Sequence, residues 1–318
     1  METIKPEVIC IVGMHRSGTS MIAQVLNQCG LYLGPPERLL KADATNPLGH
    51  FEHRGFLEID RKLLKFFQAT WHEPPELKPG WHLDSKLESL RAEARALAAT
   101  FTENSPWGWK EPRASLFLPF WKEAIPQMRF VVCIRNPLAV ARSLEKRNNI
   151  PVSKGAMLWY HYMRASLEDT EGSPRLFTFF DDFFYGGSME IERLLRFCGL
   201  PMPGDRSQLQ SAISSELRHH TSAIQSLLEA PAVTPECKLF YLGLCAILSE
   251  HPSRVEGRDD RGGDDAVSVS AFVKLFQDGN ESDAVSDRAA PSAELQSRSG
   301  DHRAATKLKR LLQSLKRF

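Results

Sequence analysis

Val8-Ile9-Cys10-Ile11-Val12 is an unbroken apolar run rich in β-branched residues, the pattern of a strand buried on both faces. Beyond a glycine-containing turn, Met21, Ile22, Val25, Leu26 and Cys29 recur at helical spacing, and Gly30 stands where a helix would end in a left-handed residue. The strand pattern returns at Phe130-Val131-Val132-Cys133-Ile134. Asn136 follows as an N-cap and Pro137 as a first helical residue, with Leu138, Val140, Ala141 and Leu144 on the inner face. Leu176 to Phe180 is a third apolar run, and a short strand is expected to end at Lys110. Helical patterns occupy 84–102, 115–125, 154–171 and 189–198. Strands alternating with helices predict an α/β fold, a parallel sheet with helices on both faces.

The pattern fades near His251. From there to about Thr306 the chain is rich in Asp, Arg, Ser, Gly and Ala and poor in aromatics. The expected organisation is one domain over 1–250, a low-complexity linker or disordered tail over 251–306, and a basic amphipathic helix over 307–318. That last helix sets Leu308, Leu311, Leu312 and Leu315 among Lys307, Lys309, Arg310, Lys316 and Arg317. It either packs on its own domain or docks weakly on a protein or an anionic membrane.

Composition then restricts the function. The 318 residues are 42% hydrophobic and 25% charged with a formal net charge of +1, so no global field favours nucleic acid, and any anion site must be local. No apolar run reaches the roughly 18 residues of a membrane span. Residues 1–7 lack the basic and apolar regions of a signal peptide. The six cysteines form no CxxC pair and sit mostly in apolar runs, which reads as buried reduced thiols and places the chain in the cytoplasm.

The candidate chemistry begins at Gly13-Met14-His15-Arg16-Ser17-Gly18-Thr19-Ser20, between the first strand and the first helix. Two glycines allow a tight turn that converges amide N–H groups, and the helix N-terminus adds partial positive charge; a phosphate-like anion fits there. The spacing follows GxxxxGK[ST], except that Thr19 holds the lysine slot and the cation is Arg16, inside the loop. A nucleoside triphosphatase would also end a later strand in Asp to hold magnesium. Here that strand ends in Arg135, which suits a second anion and no metal. A ligand with two separated anionic groups, such as a 5′-phosphosulfate with a 3′-phosphate, fits better than magnesium ATP.

The segments Gly13 to Ser20 and Arg135 to Ser143 together resemble the two signatures of the sulfotransferase superfamily that bind 3′-phosphoadenosine 5′-phosphosulfate (PAPS). Asn46-Pro47-Leu48-Gly49-His50-Phe51-Glu52 is similar to the NPxGYFE segment of bacterial members, and Trp107-Gly108-Trp109-Lys110-Glu111-Pro112-Arg113 to their WGWKDPR segment. Leu158 to Tyr162 and Phe180 to Phe184 resemble later family segments. The likeness runs from roughly Val8 to Pro201 and implies a three-layer P-loop-type α/β fold.

It also implies roles. Gly13, His15, Arg16, Ser17, Gly18, Thr19 and Ser20 would hold the 5′-phosphosulfate, and Arg135 and Ser143 the 3′-phosphate. Arg16 and Lys110 would stabilise the leaving group, and Glu52 would be the base, with Glu111, His50 and His53 as competitors. Arg113 either holds an acidic acceptor or pairs with Glu111. Trp107, Trp109 and Trp159 either stack on a ligand or fill the core. The acceptor would be a hydroxyl or amine of a carbohydrate, glycolipid or small molecule. The alternatives are a P-loop kinase and a non-catalytic nucleotide-binding module.

Overall fold

Val8–Val12 (β1) lies inside the sheet, paired in parallel with Trp107–Lys110 (β2) on one side and Met128–Ile134 (β3) on the other. Arg175–Phe179 (β4) pairs in parallel with β3, and Val255–Glu256 (β5) closes the far edge antiparallel to β4. The computed structural model describes residues 8–43, 46–185, 187–204, 209, 212–213, 223–249 and 255–256. The order β2-β1-β3-β4-β5 places a topological switch point between β1 and β3, where open α/β sheets bind ligands beyond the carboxyl ends of the strands.

The period of two along each strand divides the core. Val8, Cys10 and Val12 face one layer with Phe130, Val132 and Phe177. Ile9 and Ile11 face the other with Val131, Cys133 and Leu176. The second layer is covered by Thr19–Gln28 (α1), buried through Ile22, Ala23, Val25 and Leu26, and by a later helix, Gly187–Phe197, through Ile191, Leu194 and Leu195. The first layer takes Arg54–Phe66 (α2), Glu88–Ala99 (α3), Leu118–Ala124 (α4), Pro137–Asn148 (α5) and Val152–Asp169 (α6). The short Asp182–Tyr185 (α7) precedes Gly187–Phe197 (α8). Ile224–Glu229 (α9) and Pro235–Ser249 (α10) complete the first layer through Leu227, Phe240 and Leu244. A parallel sheet between two helical layers is the fold the sequence pattern predicts.

Several details differ from that pattern, α9 and α10 among them, which it does not mark. The helix expected over 84–102 begins as a 3₁₀ turn at Ser85–Leu87, because the Asp84 side chain accepts from the Lys86 amide before α3 starts. Helix α2 has no local start signal that sets its bounds. Its buried positions Phe56, Ile59, Asp60 and Leu63 follow helical spacing, but its N-cap is His53, whose Nδ1 accepts from the Gly55 amide at 3.1 Å. Histidine is not among the usual capping residues, so the start signal was absent. Strand β5 comes from within the stretch expected to be linker; the remainder of 251–306 and the basic helix over 307–318 lie outside the described residues.

All six cysteines are free thiols, five of them buried. Among the described residues no helix is long and apolar enough to cross a membrane.

Candidate anion-binding and catalytic site

Strand β1 ends at Val12, and Gly13 turns away with φ 136°. A Cβ there would stand 2.6 Å from the Cys133 carbonyl, so the loop can cross the end of β3 only on a glycine. The Gly13 amide donates to Ser115 Oγ at 2.9 Å. Arg16 then adopts a left-handed φ of 71°, and Gly18, at φ 90°, is the N-cap of α1 with its Cα against the Phe180 ring. No side chain caps α1, which leaves its first amides directed at the cleft. Ser17 Oγ and His15 Nε2 are buried without a protein partner, polar atoms that a bound anion or nucleotide would satisfy. Burial, then the charges of Arg113, Arg147, Lys110 and Arg16, push His15 well below the usual imidazole range, so its ring is neutral.

Arg135 stands one residue beyond β3, at the opposite wall of the switch point. Its Nη1 donates to the Arg16 carbonyl at 2.8 Å, and its guanidinium lies 4.1 Å from the centre of the Phe180 ring. Arg16 Nε donates to Ser143 Oγ at 2.8 Å. Asn136 caps α5 by accepting from the Leu138 amide, which fixes the helix that carries Ser143 two turns on. Arg16 therefore links the first anion motif to the second rather than belonging to the loop alone. Arg147, four residues after Ser143 and on the same face of α5, lines the same cleft. Burial beside Arg16 brings its guanidinium down to about 10. Sequence reasoning did not single it out, although the i, i+4 spacing from Ser143 carries the signal.

At the other end of the loop, Lys110 leaves β2 and meets Glu52. Lys110 Nζ lies 2.6 Å from Glu52 Oε1, with side chains only 1% and 9% exposed. Lys110 Nζ also donates to Ser20 Oγ at 3.2 Å. Ser20 Oγ further accepts from Asn46 Nδ2 at 3.1 Å and donates to the His50 carbonyl at 3.3 Å. One hydroxyl proton and two lone pairs are thus all committed. The Ser20 side chain, read from sequence as an anion ligand, ties the 46–52 segment to α1, and its backbone amide is the group left for an anion. Burial alone would raise the Glu52 carboxyl; the charge and hydrogen bond of Lys110, then Arg113 and His50, more than offset it and hold Glu52 below its ordinary value.

Of the three competing bases, two lie outside the cleft lining. His53 caps α2 and packs edge-on against Phe101, and burial, helped by Arg38, holds it near pKa 4. Glu111 Oε1 accepts from the Arg113 amide at 3.0 Å and from Arg113 Nη1 at 2.6 Å, so Arg113 pairs with Glu111. His50 does line the cleft, with Nε2 2.8 Å from Asp43 Oδ2. Trp107 and Trp109 pack in the core with Phe56, and Trp159 is fully buried against Phe240 and Tyr241. Gln24, Phe180 and Phe184 line the cleft without having been proposed as ligands from the sequence.

A glycine-turned loop at a helix N-terminus, facing an arginine across the switch point of an α/β sheet, is an arrangement suited to an anionic ligand. The profile of the sulfotransferase family matches residues 6–204. The chain belongs to that family. Among curated proteins none matches it. It is similar in structure to the sulfotransferase domain from the Synechococcus PCC 7002 olefin synthase, at TM-score 0.47 and 17% identity, covering 77% of this chain and 97% of that one. Sulfotransferase STF9 from Mycobacterium avium aligns at TM-score 0.44 and 14% identity, covering 80% of this chain and 79% of that one. Retinol dehydratase, solved with androsterone and the inactive cofactor PAP, aligns at TM-score 0.32 and 14% identity over 91% of this chain and 84% of that one.

Proposed function

We propose that the protein moves a sulfuryl group from PAPS to a hydroxyl or amine of a carbohydrate, glycolipid or small-molecule acceptor, in the cytoplasm. The observation that carries this reading is the placement of the Lys110–Glu52 pair at one end of an anion cleft whose other end is built by Arg135, Arg16 and Ser143. A nucleotide with phosphates at both its 3′ and 5′ positions spans such a cleft, and its sulfuryl group then lies beside a cation and a carboxylate.

The residues divide the work. The amides of Gly18, Thr19 and Ser20 and the start of α1 hold the 5′-phosphosulfate, while Arg135, Ser143 and Arg147 hold the 3′-phosphate. In the in-line displacement the acceptor oxygen or nitrogen forms a bond to sulfur as the bond from sulfur to the bridging oxygen breaks. Negative charge grows on that oxygen, where Lys110 and the loop amides stabilise it and Arg16 adds a second cation. Glu52 takes the acceptor proton. Its hydrogen bond to Lys110 uses Oε1, which leaves Oε2 for the acceptor. Lys110 therefore orients the base as well as facing the leaving group.

Isothermal titration with 3′-phosphoadenosine 5′-phosphate (PAP) and with ADP–magnesium tests the donor. Tight binding of the first and none of the second is the expected result. Preference for ADP–magnesium would sink the proposal.

A further inference from the structure

A second concavity adjoins the cleft at Pro112-Arg113, Pro112 lining the cleft and Arg113 the concavity. Helix α2 supplies Arg61 and Lys65, spaced i, i+4 on one face, and both are exposed. The helix then stops at Gln68, left-handed at φ 53°, where the Gln68 amide donates to the Lys65 carbonyl and the Ala69 amide to the Leu64 carbonyl. Beyond the stop, Thr70 and Trp71 line the concavity, and Arg113 closes it. Among the described residues that line it, none is acidic.

Trp71 is a fixed wall. Its carbonyl accepts from Tyr162 Oη at 2.8 Å, and its ring centre lies 4.8 Å from that of His15. His15 and Pro112 line the donor cleft, whereas Trp71 and Arg113, their direct neighbours, line the shelf. The two sites are therefore adjoining.

The charges are more than a helix end requires. A helix C-terminus carries partial negative charge, and one cation in the last turn is enough to complement it. Here Arg61, Lys65 and Arg113 converge on an aromatic face, with Gln68 and Thr70 adding neutral hydrogen-bonding groups. Arg113 is balanced by Glu111, and Arg61 has only a 3.9 Å approach to exposed Glu58, so the shelf keeps a net positive charge.

We infer that this shelf is the acceptor subsite and that it selects acceptors carrying an anionic group, such as a carboxylate, next to a flat or ring-shaped body that packs on Trp71. Arg61 and Lys65 bind the anion, Trp71 takes the ring, and the nucleophilic hydroxyl or amine points past His15 towards Glu52. The assignment of an acceptor rests on the sulfuryl-transfer reading, whereas the anion preference is a property of the shelf itself.

A matched pair of probes tests it: 4-nitrophenyl β-D-glucuronide and 4-nitrophenyl β-D-glucoside, which differ in one carboxylate. Binding of each to the full chain, alone and with saturating PAP, is followed by titration calorimetry. The glucuronide is expected to bind about tenfold tighter, the difference one charge-assisted hydrogen bond supplies. Arg61→Ala/Lys65→Ala should bring the two within about twofold and leave PAP affinity unchanged, because both residues are exposed and outside the donor cleft. Arg61→Glu/Lys65→Glu should reverse the preference. Equal binding of the probes to wild type, binding of neither, or a preference that survives the double alanine variant overturns the inference. Loss of PAP binding with the glucuronide preference intact would instead remove the donor reading and leave the anion shelf standing.

Discussion

Lys110 and Glu52 can be separated into a structural and a chemical contribution by one double-mutant cycle. Their N–O distance is 2.6 Å and both side chains are buried. At an effective dielectric of about 20, opposite charges this close attract by about 6 kcal/mol, most of which desolvation consumes. Removing one partner leaves the other charge buried and uncompensated, at a cost of about 3–5 kcal/mol. Lys110→Met and Glu52→Gln should each lower the urea-unfolding free energy, Glu52→Gln less because its amide oxygen still accepts from Lys110. The double variant buries no lone charge and should lie at least about 2 kcal/mol above the sum of the single losses. Because the pair is so little exposed, the coupling should persist in about 0.5 M salt, where surface pairs are screened.

Catalysis must not follow the same rule. Glu52→Gln should lower turnover with PAPS by about 10²- to 10⁴-fold, the range of a lost general base, with PAP affinity within about threefold of wild type. Lys110→Met should lose about 10²-fold or more as the leaving-group cation. The double variant should regain stability and no activity. Wild-type turnover in Glu52→Gln would refute the base assignment. Additive stability losses would refute the claim that the two charges depend on each other.

Arg135→Ala should weaken PAP binding in calorimetry by about tenfold to a hundredfold, the worth of a charge-assisted hydrogen bond, and a change under twofold would contradict the second anion corner. Burial, then the charge of Glu52, push the Glu111 carboxyl from 4.5 to about 7. The folded chain therefore holds that proton more tightly than the unfolded chain, and unfolding free energy should fall as pH rises from about 4.5 to 7, by on the order of 3 kcal/mol. Glu111→Gln should flatten that slope in urea melts at successive pH values; an unchanged slope would assign it to other groups. Gly18→Ala places a Cβ on the Phe180 ring at a left-handed φ, and should cost more than about 1 kcal/mol in thermal melts and weaken PAP binding.

Much of the anion cleft's lining was legible because its signal is local. Gly13 and Gly18 lie within eight residues of the loop, and their chemistry depends on backbone geometry that glycine spacing encodes. Arg135 was readable because the end of an apolar run marks the mouth of a parallel sheet. The Lys110–Glu52 contact spans 58 positions, and only the family likeness placed both residues in one site. Ser20 shows the limit from the other direction. It lines the cleft, but three partners from Asn46, His50 and Lys110 absorb its hydroxyl, and nothing local announces partners so distant in sequence. For Trp107 and Trp109 the sequence left two readings, ligand stacking or core, and the structure shows the core. In a β2 buried on both faces, the side chains of Trp107 and Trp109 both turn to the layer that α2 covers, and Phe56 fills the space between them.

The choice of Glu52 over Glu111 rests on how two cations are shared among three buried carboxyls. Glu52, Glu111 and Asp60 lie close enough to perturb one another, with Lys110 and Arg113 between them. Asp60 Oδ1 accepts from Trp121 Nε1 at 2.9 Å, but burial and the nearby charge of Glu111 raise its carboxyl well above the ordinary range. Glu111 rises as well, held inside the core by Arg113 with Oε2 unpartnered. Glu52 alone moves down, because Lys110 contacts it directly and Arg113 adds to the effect. Like charges this close oppose one another's ionisation in a low-dielectric interior, so Asp60 and Glu111 are pushed up while Glu52, in contact with Lys110, is held down. The carboxyl held lowest of the three is also the one lining the cleft, and this is the ground for proposing Glu52 rather than Glu111 as the base.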